Sequence, residues 1–129
     1  MNATATGSRP TGGVLRRAVQ RLGSGPSPHE AEELRKEADS VGCGSIASSA
    51  DRDLTTLHGT LRSVTLRPRG GVSALEADLY DGSATVTLVW LGRRRIAGIE
   101  PGRRLTVHGR LSCQDGKRLL YNPRYELTT

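Results

Sequence analysis

One tryptophan and three adjacent arginines stand close together in this sequence. Trp90 is the only tryptophan, and Arg93, Arg94 and Arg95 follow it after two residues. A guanidinium group forms paired hydrogen bonds with phosphate and also lies flat on aromatic planes. A flat ring beside such charge can stack on a planar group of the same ligand. The pattern therefore indicates contact with an anion that carries planar groups. The alternatives are a Trp90 that fills a core and arginines that are only solvated.

The other candidates for this chemistry also lie in the second half of the chain. Four cations flank two predicted loops, and two tyrosines add flat surface: Arg67, Arg69, Lys117, Arg118, Tyr80 and Tyr121. Tyr121 is as consistent with packing as with stacking. Glu76 and Asp78 share the strand face of Tyr80, and their charges would repel phosphate there. We therefore expect anion contact mainly at strand ends and loops.

The net charge of +6 arises entirely from the second half of the chain. Residues 1–53 contain seven basic and seven acidic residues, whereas residues 54–129 contain twelve and six. Seventeen of the nineteen basic residues are arginines. This asymmetry predicts an anionic partner for the second half. A GC-rich genome would also increase the arginine content.

Catalytic and metal-binding patterns are absent from the sequence. Cys43 and Cys113 have neither the spacing of a zinc site nor that of a disulfide framework. His58 and His108 would be neighbours if the first and fourth predicted strands pair, but a third ligand is missing. No nucleophile triad or phosphate-binding glycine loop is recognisable. The sequence therefore predicts a protein that is not an enzyme, with no catalytic residues, no cofactor and no metal.

The sequence has no apolar run of 18 residues and no signal peptide plan, which predicts a cytoplasmic protein without a membrane partner. Residues 1–26 are predicted to be a flexible segment with a possible short helix over residues 13–22. Residues 27–53 are predicted to form a capping helix and a linker. Ser27, Pro28 and Glu30 are typical of a helix start, and Gly42 is typical of a helix end.

Alternation with a period of two begins at Leu54 and predicts five strands over residues 54–129. The phase changes near Arg62–Ser63, which indicates a β-bulge. Asp81-Gly82 marks a hairpin turn. A short helix is predicted around Arg94–Ile99. The fifth strand is predicted over residues 117–127, with Pro123 near an edge or a bulge.

Three segments, LYDGSATVTLVWLGRR, IEPGRRLTVHGRL and YNPRYEL, resemble OB-fold nucleic-acid-binding domains. Such domains include the anticodon domains of class II tRNA synthetases and the wedge domain of the bacterial branch-migration helicase. The whole chain also resembles small actinobacterial proteins that carry this domain after a short helical N-terminus. Ala84 departs from the pattern, because many such domains have glycine there.

The resemblance implies a mainly β protein, namely a five-stranded OB-fold Greek-key barrel preceded by a short helical segment. It implies that single-stranded DNA or RNA lies across strands two and three, between the loop joining strands one and two and the loop joining strands four and five. It also implies a bacterial protein, with association with the nucleoid as one option. The alternative is a protein–protein interaction adaptor that uses the barrel and the N-terminal helices.

Overall fold

The computed structural model describes residues 27–128, which form one helix and six strands. These elements are α1 (Pro28–Ser40), β1 (Leu54–Arg69), β2 (Val72–Tyr80), β3 (Thr85–Leu91), β4 (Arg104–Gln114), β5 (Lys117–Tyr121) and β6 (Arg124–Thr128). The predicted flexible segment and its short helix lie outside the described residues. No helix among residues 27–128 is long and apolar enough to cross a bilayer.

The first five strands close into a barrel. The sheet order is β1-β2-β3-β5-β4-β6, and β1 also pairs with β4. The β3–β5 pair is parallel and the other pairs are antiparallel. This closed Greek-key order is that of the OB-fold. The fold class predicted from the sequence, with a helix before the barrel, is therefore confirmed.

The long strand β1 bends so that it can serve two partners. Its first half pairs with β4 and its second half pairs with β2. The register shifts between Leu61 and Ser63, which confirms the predicted bulge. A Cβ atom at Gly59 would lie 2.3 Å from the carbonyl oxygen of Tyr80. Only glycine therefore allows the close approach of these two backbones.

Two predicted elements differ from the structure. The fifth strand is divided into β5 and β6, because Pro123 has no N–H donor and Asn122 adopts a left-handed conformation with φ 51°. After this break, β6 pairs with β4 alone. The segment 94–99 forms turns rather than a helix. Its apolar residues Ile96 and Ile99 are nevertheless buried in the barrel core.

The helix α1 and the segment after it pack against the barrel. Ser27 caps α1 by accepting a hydrogen bond from the Glu30 amide, as predicted. Leu34 and Ala38 are fully buried on the inner face of the helix. Ile46, in the connection to β1, belongs to the same apolar cluster as the barrel interior. Residues 27–53 therefore contribute directly to the core.

A buried carboxylate at the β2–β3 turn holds this helical segment in place. Asp81 is fully buried. One of its oxygens accepts hydrogen bonds from Arg35 and from the Ile46 amide, each at 2.8 Å. The other accepts from Ser83 and from the Ala84 amide. The turn residue thus joins the helix, the connection and the barrel.

Two further ion pairs join α1 to the barrel. Glu37 accepts hydrogen bonds from the buried His58 at 3.1 Å and from Arg104 at 2.9 Å. Arg62 pairs with Glu30. Burial raises the pKa of Glu37, but hydrogen bonds from His58 and Arg104 outweigh it, so its pKa lies below the ordinary value. We call the pairs Arg35–Asp81, Arg104–Glu37 and Arg62–Glu30 the helix clamp.

Candidate nucleic-acid interface

A cleft of about 430 Å³ lies on the outer face of β1, β2 and β3 and is bordered by the β4–β5 turn. We call it the basic cleft. Its lining consists of polar and charged residues with one glycine: Ser63, Thr65, Arg67, Arg69, Glu76, Asp78, Thr85, Thr87, Gly116, Lys117 and Arg118. The end of β1, which leads into the first loop expected from the resemblance, and the β4–β5 turn, which is the second, thus border one concave surface.

The alternation of the strands explains why these side chains meet. Directly opposed residues of antiparallel strands share a sheet face. Ser63 lies opposite Asp78, and Asp78 lies opposite Thr87. Thr65 lies opposite Glu76 in the same way. The polar phase of each strand therefore forms the floor of the basic cleft, while the other phase fills the barrel.

Two of the four predicted loop cations interact with a carboxylate of the cleft. The Nε atom of Arg69 donates to Glu76 at 2.6 Å, and Arg67 lies 3.8 Å from the other Glu76 oxygen. The hydrogen bond to Glu76 raises the pKa of Arg69, and burial opposes this only in part. Arg69 therefore stays charged, but Glu76 partly neutralises the cleft at this end.

The other two loop cations have no such partner. Lys117 is exposed and Arg118 is half-buried at the start of β5. Among residues 27–128, neither side chain has a carboxylate within ion-pair distance. Their charge is therefore available to a ligand in the cleft.

A second carboxylate, that of Asp78, lies on the cleft floor. Ser63 donates to one of its oxygens at 3.1 Å, and Thr87 donates to the other at 2.8 Å. Sequence reasoning treated this acid only as a source of repulsion and overlooked both hydroxyl donors. The signal for their meeting was the shared outward phase of the three strands.

The two candidate tyrosines lie in different surroundings. Tyr121 is 36% exposed, and the Arg69 guanidinium carbon lies 5.8 Å from its ring centre. Tyr80 is half-buried, outside the cleft lining, with the Arg62 guanidinium carbon 5.2 Å from its ring centre. Of the two, Tyr121 therefore lies beside a cation that lines the cleft.

Trp90 lies in the core, so it does not provide a surface for stacking. It is 5% exposed, and its Nε1 donates to the Pro123 carbonyl at 3.1 Å. Its ring packs edge-on against Tyr125 with 5.8 Å between ring centres. Trp90 shares the inward phase of Val86 and Leu88, which are fully buried. Of the two interpretations given by the sequence, the structure shows the core one.

The cluster Arg93–Arg95 is exposed beyond the end of β3. Arg94 lies 3.4 Å from the hydroxyl of Ser73, at the start of β2. These arginines are outside the lining of the basic cleft. The structure therefore does not bring them together with Lys117 and Arg118, and their contact with an anion stays a prediction.

His58 and His108 lie on paired strands, as expected, but each is hydrogen-bonded to a threonine of the opposite strand. His58 contacts Thr106 at 3.0 Å, and His108 contacts Thr56 at 3.1 Å. Within residues 27–128, no group of three potential metal ligands occurs. The two histidines thus contribute hydrogen bonds between β1 and β4.

Comparison with known proteins finds likeness in structure alone. No protein-family model and no curated protein matches the sequence. The p204 HINb domain is 16% identical, with a TM-score of 0.54 over 70% of this chain and 49% of that one. The chain thus spans about half the length of that domain. At this identity the match shows the fold and nothing further.

Two more distant neighbours have TM-scores below 0.5, which is too low to support a fold assignment. RecG bound to a three-way DNA junction is 22% identical, with a TM-score of 0.49 over 60% of this chain and 11% of that one. The OB domain of Ta0387 from Thermoplasma acidophilum is 13% identical, with a TM-score of 0.47 over 67% and 81%. The OB-fold assignment rests on strand order and pairing.

Proposed function

We propose that this protein is a non-catalytic, nucleic-acid-binding OB-fold protein that binds single-stranded DNA or RNA with little overall sequence preference. The observation that carries the proposal is the basic cleft, where the end of β1 and the start of β5, next to the β1–β2 and β4–β5 loops, place four cations around one sheet face. OB-folds bind oligonucleotides on this face, between the same two loops. The resemblance of the sequence to anticodon-binding and helicase-wedge domains, and to small actinobacterial proteins that carry such a domain, supports the same proposal.

Phosphate contact supplies most of the affinity in this proposal. Lys117 and Arg118 bind the backbone at one side of the cleft, and Arg67 and Arg69 bind it at the other. The cluster Arg93–Arg95 extends the contact beyond β3. Because phosphate contacts carry no sequence information, they account for binding of many sequences.

Base stacking adds to phosphate contact. Tyr121 offers a partly exposed ring beside Arg69, and Tyr80 offers a half-buried ring at the end of β2, outside the cleft lining. Aromatic stacking tolerates any base, because every base has a π-face. With only two rings available, the protein depends more on charge than on stacking, and we expect strong salt dependence. Its proposed location is the bacterial cytoplasm, in contact with the nucleoid or with RNA.

The adaptor alternative uses the barrel and the apolar faces of the two predicted N-terminal helices as partner-binding surfaces. The first of these helices lies outside the described residues, and the second is α1. Leu34 and Ala38, on that face of α1, are already buried against the barrel.

The test is fluorescence anisotropy with labelled oligothymidylate and oligouridylate of about 16 nucleotides, the upper site size of one OB-fold. If Arg67, Arg69, Lys117 and Arg118 each neutralise one phosphate, the logarithm of the association constant falls with the logarithm of salt concentration with a slope of about −3. An affinity that does not change with salt concentration, or no binding at low salt, would overturn the proposal.

A matched pair of double variants separates the cleft from general charge. Lys117→Ala/Arg118→Ala is expected to weaken binding of every sequence and to reduce the slope by about 1.4. The control, Arg103→Ala/Arg110→Ala, removes the same charge at residues outside the cleft lining. If both variants weaken binding equally, the ligand does not use the cleft.

A further inference from the structure

We infer that Asp78 recognises the hydrogen-bond donors of one unstacked base, and that the basic cleft prefers guanine at that position. This inference rests on the proposed function. It adds one point of base selectivity to a surface that otherwise contacts phosphate. The residue that carries it is an acid on the floor of a cleft whose borders, at the end of β1 and the start of β5, are cationic.

Asp78 is the carboxylate of the cleft that has no cationic partner among the described residues. Glu76 interacts with Arg69 and Arg67, whereas Asp78 accepts only from the hydroxyls of Ser63 and Thr87. An acid in this position reduces the attraction of the cleft for phosphate. For a ligand that also offers hydrogen-bond donors to the cleft floor, the same carboxylate strengthens binding.

The two hydroxyls fix the carboxylate but do not saturate it. A carboxylate has about four acceptor positions, two on each oxygen. Ser63 and Thr87 occupy one position on each oxygen. The donors come from β1 and β3, on either side of β2, so they hold the group in one orientation. Both oxygens keep an acceptor position for a ligand, which suits a bidentate contact.

Guanine is the base whose edge matches two adjacent acceptors. Proteins read the Watson–Crick edges of single-stranded bases. Guanine presents N1–H and the N2 amino group side by side. Adenine and cytosine present one amino group beside an acceptor nitrogen. Thymine and uracil present one N–H between two carbonyl oxygens, which a carboxylate repels. Hydrogen bonds to an ionised acceptor are stronger than those between neutral groups.

The experiment compares single-stranded oligothymidylates that carry one central guanine, inosine, adenine or thymine. Inosine keeps N1–H but lacks the amino group, and a single guanine avoids self-association of guanine runs. The wild-type protein is expected to bind the guanine oligonucleotide about tenfold more tightly than the thymine one, in the range of one bidentate base contact. Inosine is expected to be intermediate.

The Asp78→Asn variant is expected to lose the preference for guanine and to bind plain oligothymidylate more tightly than wild type. Glu100→Gln, which removes an acid outside the cleft lining, should retain the preference. Should Asp78→Asn unfold, the guanine and inosine comparison on wild type still decides. Equal binding of all four oligonucleotides would overturn this inference alone. If none of the four oligonucleotides binds, the proposed function is overturned as well.

Discussion

The helix clamp and the basic cleft contain the same types of charged side chain on one barrel, but the charges have different roles in the two regions. In the helix clamp, Arg35, Arg62 and Arg104 each pair with a carboxylate of another element. In the basic cleft, Lys117 and Arg118 have no carboxylate within ion-pair distance among the described residues. The comparison shows that net charge alone does not indicate which cations can bind a ligand, because the tertiary partners decide it.

The two regions also differ in where their acids lie. Asp81 of the clamp is fully buried and accepts from several donors, so its ion pair is part of the core. Glu76 is largely buried and Asp78 is half-buried, but both line the open cleft. We therefore expect substitutions in the clamp to change the free energy of unfolding, and substitutions in the cleft to change affinity.

The largest effect is expected for Asp81→Ala. Removing this carboxylate leaves the Arg35 guanidinium, the Ser83 hydroxyl and three backbone amides without their acceptor in a largely buried site. We expect a loss of about 3–5 kcal/mol in the free energy of unfolding, measured by urea titration with Trp90 fluorescence. Asp39→Ala is the control, because Asp39 is exposed and also faces Arg35, and should cost under about 0.5 kcal/mol. If Asp81→Ala costs as little free energy of unfolding as Asp39→Ala, the Arg35–Asp81 pair does not stabilise the fold.

The next effect concerns Tyr121, which lies beside Arg69 at the border of the cleft. Tyr121→Ala is expected to weaken oligonucleotide binding about tenfold, as for one lost stacking platform, with little change in urea midpoint. Tyr121→Phe removes only the hydroxyl that Arg69 contacts and should stay within about twofold of wild type. If the phenylalanine variant is as weak as the alanine variant, the hydroxyl rather than the ring is the binding group.

A smaller and opposite effect is expected for Glu76→Gln. Without the negative charge of Glu76, Arg69 and Arg67 are no longer drawn toward a carboxylate and bind phosphate more strongly, so affinity at low salt should rise about threefold. Glu126→Gln removes the same charge on β6, outside the cleft lining, and should leave the affinity unchanged. A weaker Glu76→Gln complex would mean that Glu76 positions Arg69 for binding.

The smallest effect is the acid dependence of the clamp. Because the pKa of Glu37 is lower in the folded protein, its contribution to stability is complete above its ordinary pKa of about 4.5 and is lost as pH falls through the folded value. Glu37→Gln should therefore be less stable than wild type at neutral pH. The urea midpoints of the variant and the wild type should converge as the pH falls below about 4.5. Parallel midpoints across this range would contradict the assigned ion pair. The Glu37 side chain is 39% exposed, which keeps the effect small.

Much of the fold could be predicted from local sequence signals. The cap at Ser27, the bulge near Arg62–Ser63 and the Asp81-Gly82 turn are each set by a few adjacent residues. The division of β5 from β6 was missed, although Pro123 marked the place. The segment 94–99 was misread as a helix because its spacing of isoleucines suits either a helical face or two turns that enter a core.

The candidate site could be predicted only in part. Arg67, Arg69, Lys117 and Arg118 line one cleft, as the strand order implied by the resemblance indicates, and their contact with nucleic acid stays a prediction. The hydroxyl donors of Asp78 were not expected, since Ser63 and Thr87 are distant from it in sequence. Trp90 was ambiguous, because a ring at a strand end satisfies both an inward phase and a binding role.

The amino-acid sequence by itself determined the strand period, the turns, the helix start and the excess of arginine in residues 54–129. The strand period, the turns and the helix start depend on interactions within a few residues of the chain, and the arginine excess is a matter of composition. Only the tertiary structure decided which cations are paired and which face the cleft. Arg104 meets Glu37 across 67 positions, and Arg35 meets Asp81 across 46. Such contacts follow from the packing of α1 against the barrel, which no local pattern encodes.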